Sequence, residues 1–208
     1  AKPNHFLRED EDIGIDETIE IIQETHDDWK RKRPLAAMKM VQKEVKIKGS
    51  SSKAIYLFDQ DGNTVSWWND VPMKLDAYDK YEFNMVMEIS SSTKAKMEIS
   101  RDVEFNPIIQ DLEHCDEAPS GKKLRDYAIF PIFNYGAIPQ TWEDPNRISV
   151  SAEGTYGGDQ DPIDIVEVSG CTLTRFDVYK IKILGALKCI DSGEIDWKVL
   201  ALEANSPM

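Results

Sequence analysis

Val178-Tyr179-Lys180-Ile181-Lys182-Ile183-Leu184-Gly185-Ala186-Leu187 and Asp196-Trp197-Lys198-Val199-Leu200-Ala201-Leu202-Glu203 decide the fold class of this chain. Both read at a period of two, the spacing at which successive side chains face opposite sides of a sheet. Asp191-Ser192-Gly193-Glu194 lies between them and supplies the turn formers. Working outward, segments of the same kind occur at 53–58, 64–68, 83–89, 94–99, 128–133 and 163–168. Asp61-Gly62 falls between two of them and predicts a hairpin. Many short strands with few helices predict a mainly β (α+β) fold built on a closed barrel with flanking helices and hairpins.

Residues 1–34 read differently and predict a helical segment ahead of a barrel core at 35–208. Ile15, Ile19, Ile22, His26 and Trp29 recur at helical spacing as one apolar stripe. Asp16 and Glu17 in the first turn and Lys30-Arg31-Lys32-Arg33 in the last complement the helix dipole, with Pro34 as the stop. Such a stripe does not stand in water alone and should pack on a barrel. His26 reads as a packed histidine and the basic run as a helix end. Residues 111–122 and 145–158 predict polar, mobile loops, and Gly49-Ser50-Ser51-Ser52 a further loop.

Composition narrows the function classes. The 208 residues are 41% hydrophobic and 30% charged, which fits one domain, or one domain plus an appendage. No apolar run approaches the roughly 18 residues that would span a bilayer. No secretory leader is visible, and the first residue is Ala1 rather than Met. A net charge of −13 opposes nucleic acid and anionic lipid. It also opposes an anionic substrate, unless metal cations invert the charge locally. Cys115, Cys171 and Cys189 show no paired spacing and fit a reducing, cytoplasmic setting rather than disulfides or zinc. Asp59, Asp61, Asn63 and Asp70 imitate a calcium loop. Its sixth position is Thr64 where glycine is needed, and both flanks read as strands, so no calcium site is expected there.

The chemistry concentrates in Gly158-Asp159-Gln160-Asp161-Pro162-Ile163-Asp164 and in Asp191-Ser192-Gly193-Glu194-Ile195-Asp196-Trp197-Lys198. Most acidic clusters are solvated loop faces. Here Pro162 stiffens the first cluster, and each runs into an apolar strand, at Ile163, Ile165 and Val166 or at Trp197, Val199 and Leu200. Carboxylates crowded at strand ends repel one another, and hard cations offset that repulsion. Mg²⁺ or Mn²⁺ suits such oxygen ligands best.

At these residues the chain resembles family I soluble inorganic pyrophosphatases of the eukaryotic type. The Asp-x-Asp-Pro-x-Asp pattern at 159–164 is similar to that family's signature. Tyr135-Gly136-Ala137-Ile138-Pro139-Gln140-Thr141-Trp142-Glu143-Asp144-Pro145 is similar to a stretch of its eukaryotic branch. Phe83-Asn84-Met85-Val86-Met87-Glu88-Ile89 and Asn106-Pro107-Ile108-Ile109-Gln110-Asp111 match further segments in the expected order, so the resemblance covers roughly 45–208. It implies a five-stranded OB-fold-like barrel that hydrolyses pyrophosphate with several Mg²⁺ ions per site, Mn²⁺ serving in their place. It also implies a homodimer, with or without exchanged segments, and no nucleic-acid or membrane partner.

The resemblance further implies a division of labour. Asp159, Asp164 and Asp196 would hold the first metal, and Asp164 would bridge to a second. Asp161 would take a proton from the water between them. Asp191, Asp196 and Glu98 would help hold the metals that arrive with substrate, and Glu88 would support the site from behind. Lys96, Arg125, Tyr135 and Lys198 would contact the phosphates. Two departures stand against the pattern: Pro131 occupies the place of a family tyrosine, and the stretch from Arg125 to Tyr135 is short. Residues 2–33 resemble the family's C-terminal helix although they come first, and the intervening stretch with its tyrosine and lysine is not in this chain. A circular permutation, a tandem copy and segments out of their natural order all stay open. An impaired paralogue serving as a binding module is the competing function, and an oligonucleotide-binding barrel a third.

Overall fold

The computed structural model describes residues 14–27, 41–46, 53–75, 79–118, 120–151 and 154–206. One helix, α1 (Ile15–Asp27), precedes the strands β1 (Val41–Lys46), β2 (Lys53–Phe58), β3 (Thr64–Val65), β4 (Glu82–Ile89) and β5 (Met97–Ile99). Then come β6 (Ile108–Gln110), β7 (Leu112–His114), β8 (Lys122–Leu124), β9 (Asn134–Ala137), β10 (Ser149–Ser151) and β11 (Gly154–Tyr156). The last are β12 (Asp164–Glu167), β13 (Val178–Asp191) and β14 (Glu194–Glu203).

The predicted closed barrel is present, in the order β12-β14-β13-β4-β9. β12 runs parallel to β14 with Asp164 opposite Lys198, and the other pairs are antiparallel. The period-two reading is borne out in β4. Phe83, Met85 and Met87 fill the barrel interior with Ile165, Ile181, Ile183, Val199 and Ala201. Val86 instead joins Leu57, Trp67, Ile99 and Ile108 under the second sheet, β1-β2-β6-β5. Gly136 lets β9 pair closely with this strand, because a β-carbon there would sit 2.0 Å from the Val86 carbonyl oxygen. α1 packs its stripe on the barrel as expected, with Ile19 and Ile22 buried in the interior cluster while Ile15 is 39% exposed. The His26 side chain, Trp29, the basic run, Pro34 and the 49–52 loop lie outside the described residues.

Several boundaries differ from expectation. Residues 128–133 form no strand: Pro131 has no N–H for a ladder, and Ile129, Phe130 and Ile132 stand exposed. The strand expected at 64–68 stops at Val65. Ser66 builds a turn there, its hydroxyl accepting from the Trp68 and Asn69 backbones. The strand expected at 94–99 begins only at Met97. The two expected loops each contain a hairpin, β7–β8 and β10–β11. In the first, Lys123 and Glu113 face each other across the ladder at 3.1 Å. The calcium-loop mimic is a turn: the Asp59 carboxylate accepts from the Asp61 and Asn63 backbones and from the Asn63 amide. The three cysteines are free thiols.

Candidate active site

One cleft of about 540 Å³ opens where the ends of β4, β9, β12, β13 and β14 meet β5, and it gathers every side chain expected at the site. Its floor is the start of β12. Lys198 on β14 donates to Asp164, to Asp196 and, at 2.7 Å, to the Tyr135 hydroxyl, and that hydroxyl donates to Asp164. Burial pushes Asp164 up to about 7 although Lys198 and Tyr135 pull it down. Burial would lower Lys198, but Asp164 and Asp196 together raise it, so its ammonium stays charged. Burial and the neighbouring Asp164 also raise the Tyr135 phenol, which therefore remains a donor.

The acidic wall is the turn before β12. The Asp161 N–H donates to the Asp159 carboxylate at 2.9 Å, and Gln160 between them adopts a left-handed conformation, φ 73°. Backbone bonds from Gln160 to the Glu143 carbonyl and from Glu143 to the Asp161 carbonyl lash this turn to the 143 segment. Gly158 makes the approach possible: a β-carbon there would lie 2.5 Å from the Glu143 backbone. Burial and the Asp159 charge push Asp161 up to about 6. Burial likewise raises Asp159. Asp191, at the end of β13, lies in the lining of the same cleft.

Sequence reasoning assigned no role to Glu143. One of its oxygens accepts from the Trp197 N–H at 2.9 Å; the other, Oε2, is buried with no donor among the described residues. Oxygen atoms of Glu143, Asp159 and Asp196 lie within 4.8 Å of one another, so this acidic group could hold a metal ion. Burial and the neighbouring Asp159 charge raise Glu143 well above the ordinary carboxyl range, and a cation or a shared proton among these oxygens would relieve that crowding. Glu143 lies in the 135–145 stretch that carries the resemblance, but its partners Asp159 and Asp196 are distant in sequence and reach it only through the fold.

The opposite wall is cationic. The Asp111 carboxylate accepts from Lys96 at 3.0 Å and from Arg125 at 2.9 Å, holding both at the cleft, and Lys96 also pairs with Glu98 at 2.9 Å. Asp111 is a second group without a role in the sequence reading, although it ends a quoted motif. Glu88 enters through a bulge: β4 pairs Met87 with Gly136 and Ile89 with Tyr135, leaving Glu88 as the extra residue. Its carboxylate accepts from the Ile99 N–H at 2.6 Å, and burial raises it well above the usual range.

Comparison with known proteins places this arrangement. The family model described as inorganic pyrophosphatase matches residues 85–208. Soluble inorganic pyrophosphatase 6, chloroplastic, of Arabidopsis thaliana is 38% identical over 183 residues, 86% of this chain and 57% of that protein. Inorganic pyrophosphatase 2, mitochondrial, of Mus musculus is 46% identical over 145 residues, 67% of this chain and 42% of that protein. Among solved structures, the type I inorganic pyrophosphatase from Toxoplasma gondii superposes with a TM-score of 0.67 at 38% identity, over 81% of this chain and 71% of that one. The chain spans about half the length of the curated relatives it matches.

Proposed function

Because the chain belongs to the inorganic pyrophosphatase family, we propose that it hydrolyses pyrophosphate to two phosphates with Mg²⁺. The observation that carries this reading is a single cleft lined by the carboxylates of Asp159, Asp161, Asp164 and Asp196 and by the Lys96, Arg125 and Lys198 cations, with Glu143, whose buried Oε2 has no donor among the described residues, set against Asp159 and Asp196. Asp159, Asp164 and Asp196, joined by Glu143, would hold a first metal; Asp191, Asp196 and Glu98 would hold those that enter with substrate. An all-oxygen donor set suits Mg²⁺, with Mn²⁺ as its substitute. Bound there, the metal would lower the pKa of its water and take up charge on phosphate oxygens.

The chain's own residues then divide the work. Asp161, half-exposed at the rim and held near 6, accepts the proton of the attacking water, since a base poised close to the working pH is the most effective. Lys96 and Arg125, fixed in place by Asp111, present positive charge to the departing phosphate. Lys198 and Tyr135 orient Asp164 and offer donors to the same anion. Glu88 braces the floor through the Ile99 backbone.

No helix among the described residues is long and apolar enough to cross a membrane. Cytoplasmic placement and a homodimer belong to the same proposal, the first supported by three free thiols. The test is phosphate release from pyrophosphate by the purified chain with Mg²⁺, with Ca²⁺ and with chelator. Release should require Mg²⁺ and fail with Ca²⁺, whose looser coordination misplaces the water. No release with Mg²⁺ or Mn²⁺ would overturn the reading.

A further inference from the structure

Arg101 lines the same cleft, yet nothing in the reading above gives it a task. It follows β5 by two residues. Its Nη1 donates to the Asp159 backbone carbonyl at 3.1 Å and lies 3.6 Å from Asp161 Oδ1. One guanidinium thus touches both ends of the turn whose middle residue, Gln160, holds a left-handed conformation. A residue with a β-carbon keeps that conformation where its surroundings enforce it. Glu143 grips the turn from the inner side through its backbone, and Arg101 grips it from the outer side.

The loop that carries Arg101 is itself anchored. Asn106 donates to the Ser100 carbonyl at 3.0 Å and accepts from Ser66 and Asn69, each at 2.7 Å. The Ser100 N–H donates to the Pro107 carbonyl at 2.9 Å, closing the loop's base. Phe105 and Asn106 complete its reversal with φ of 64° and 44°. Arg101 therefore reaches the turn from a rigid support. Its side chain and that of Asp161 are 45% and 52% exposed, so the ion pair adds little to stability. What it adds is direction, since a guanidinium presents its donors in one fixed plane, whereas a lysine ammonium carries a point charge on a flexible stem.

We propose that Arg101 is a positioning residue that holds the Asp159–Asp161 turn, and with it the Asp161 carboxylate, in the orientation that hydrolysis needs. This rests on the hydrolysis proposed above. Displacing a catalytic group by about 1 Å can cost up to about 100-fold in rate, so Arg101→Met should lower kcat by about 10-fold. KM for pyrophosphate should move little, and Arg101→Lys should recover part of the loss. In the metal-free protein, hydrogen exchange of the backbone amides across 157–163 should quicken in Arg101→Met and return toward the native rate in Arg101→Lys. An unchanged kcat in an active background, or a raised KM with kcat intact, overturns the proposal; the first leaves a surface arginine and the second a substrate contact. If the native chain releases no phosphate, the functional reading fails separately. The exchange measurement then still decides whether Arg101 holds the turn, and unchanged exchange refutes it.

Discussion

Replacing Glu143 by glutamine isolates its charge from its shape. Glutamine keeps the oxygen that accepts from the Trp197 N–H and fills the same buried space. The charge matters because Asp159 and Asp196 lie within 4.8 Å. At that separation two like charges repel by roughly 3.5 kcal/mol at an effective dielectric of 20, and Glu143 faces two of them. That repulsion, added to burial, keeps a proton on Glu143 while no cation is bound, consistent with its raised pKa. Cation binding must then expel the proton, so affinity rises with pH. Glu143→Gln should leave metal-free stability nearly unchanged but weaken Mg²⁺ binding about 10–100-fold, the usual effect of losing a group that supports a metal site. Calorimetric titration with Mg²⁺ in buffers of differing ionisation heat counts the protons released, and the variant should release one fewer. Equal affinity and an equal proton count would refute the argument and leave Glu143 a structural acid.

Asp161→Asn should keep most of its Mg²⁺ affinity while turnover falls about 10²–10⁴-fold, the usual worth of a general base; phosphate release across pH checks this, and near-native turnover at neutral pH would remove Asp161 from the base role. Ile22→Ala, at a fully buried position of α1, should cost about 2–5 kcal/mol. At about 2–4 °C per kcal/mol for a chain of this size, calorimetry should find a clear fall in Tm, whereas Ile15→Ala on the same stripe should barely register. The metal-free protein should lose stability as pH rises from about 4 to 7. The unfolded carboxyls ionise near 3.8, while Asp161 and Asp164 keep their protons to about 6 and 7, so the folded state binds more protons in that window. Each such carboxylate adds up to about 1.4 kcal/mol per pH unit to the slope, less for the half-exposed Asp161, which solvent screens. Lys198, raised by its partners, changes nothing below pH 10. A denaturation series over pH, without and with Mg²⁺, should show the decline and its relief.

Local pattern was enough for four of the five barrel strands, all but β9 (Asn134–Ala137), and for the acidic turn. Alternation in β4, β13 and β14 repeats every two residues, and Asp159, Asp161 and Asp164 are neighbours along the chain, so both can be read from adjacent positions. The α1 stripe was legible too, but not its depth: Ile15 and Ile22 fall on the same face by spacing, and only packing on the barrel buries one and exposes the other. The strand expected at 128–133 failed on a single Pro131 amid apolar residues that satisfy any hydrophobic pattern. The contacts that complete the site were beyond local reading altogether. Glu143 meets Asp159 and Asp196 because Gly158 admits a close backbone crossing. Glu88 enters the cleft because β4 bulges against β9, Asp111 meets Lys96 where β6 pairs with β5, and Arg101 reaches the acidic turn from the loop after β5. Alternation depends on neighbours in sequence, which the chain states directly. Proximity across a closed barrel depends on strand register and on clearances of a few tenths of an ångström, and those exist only once the barrel has closed.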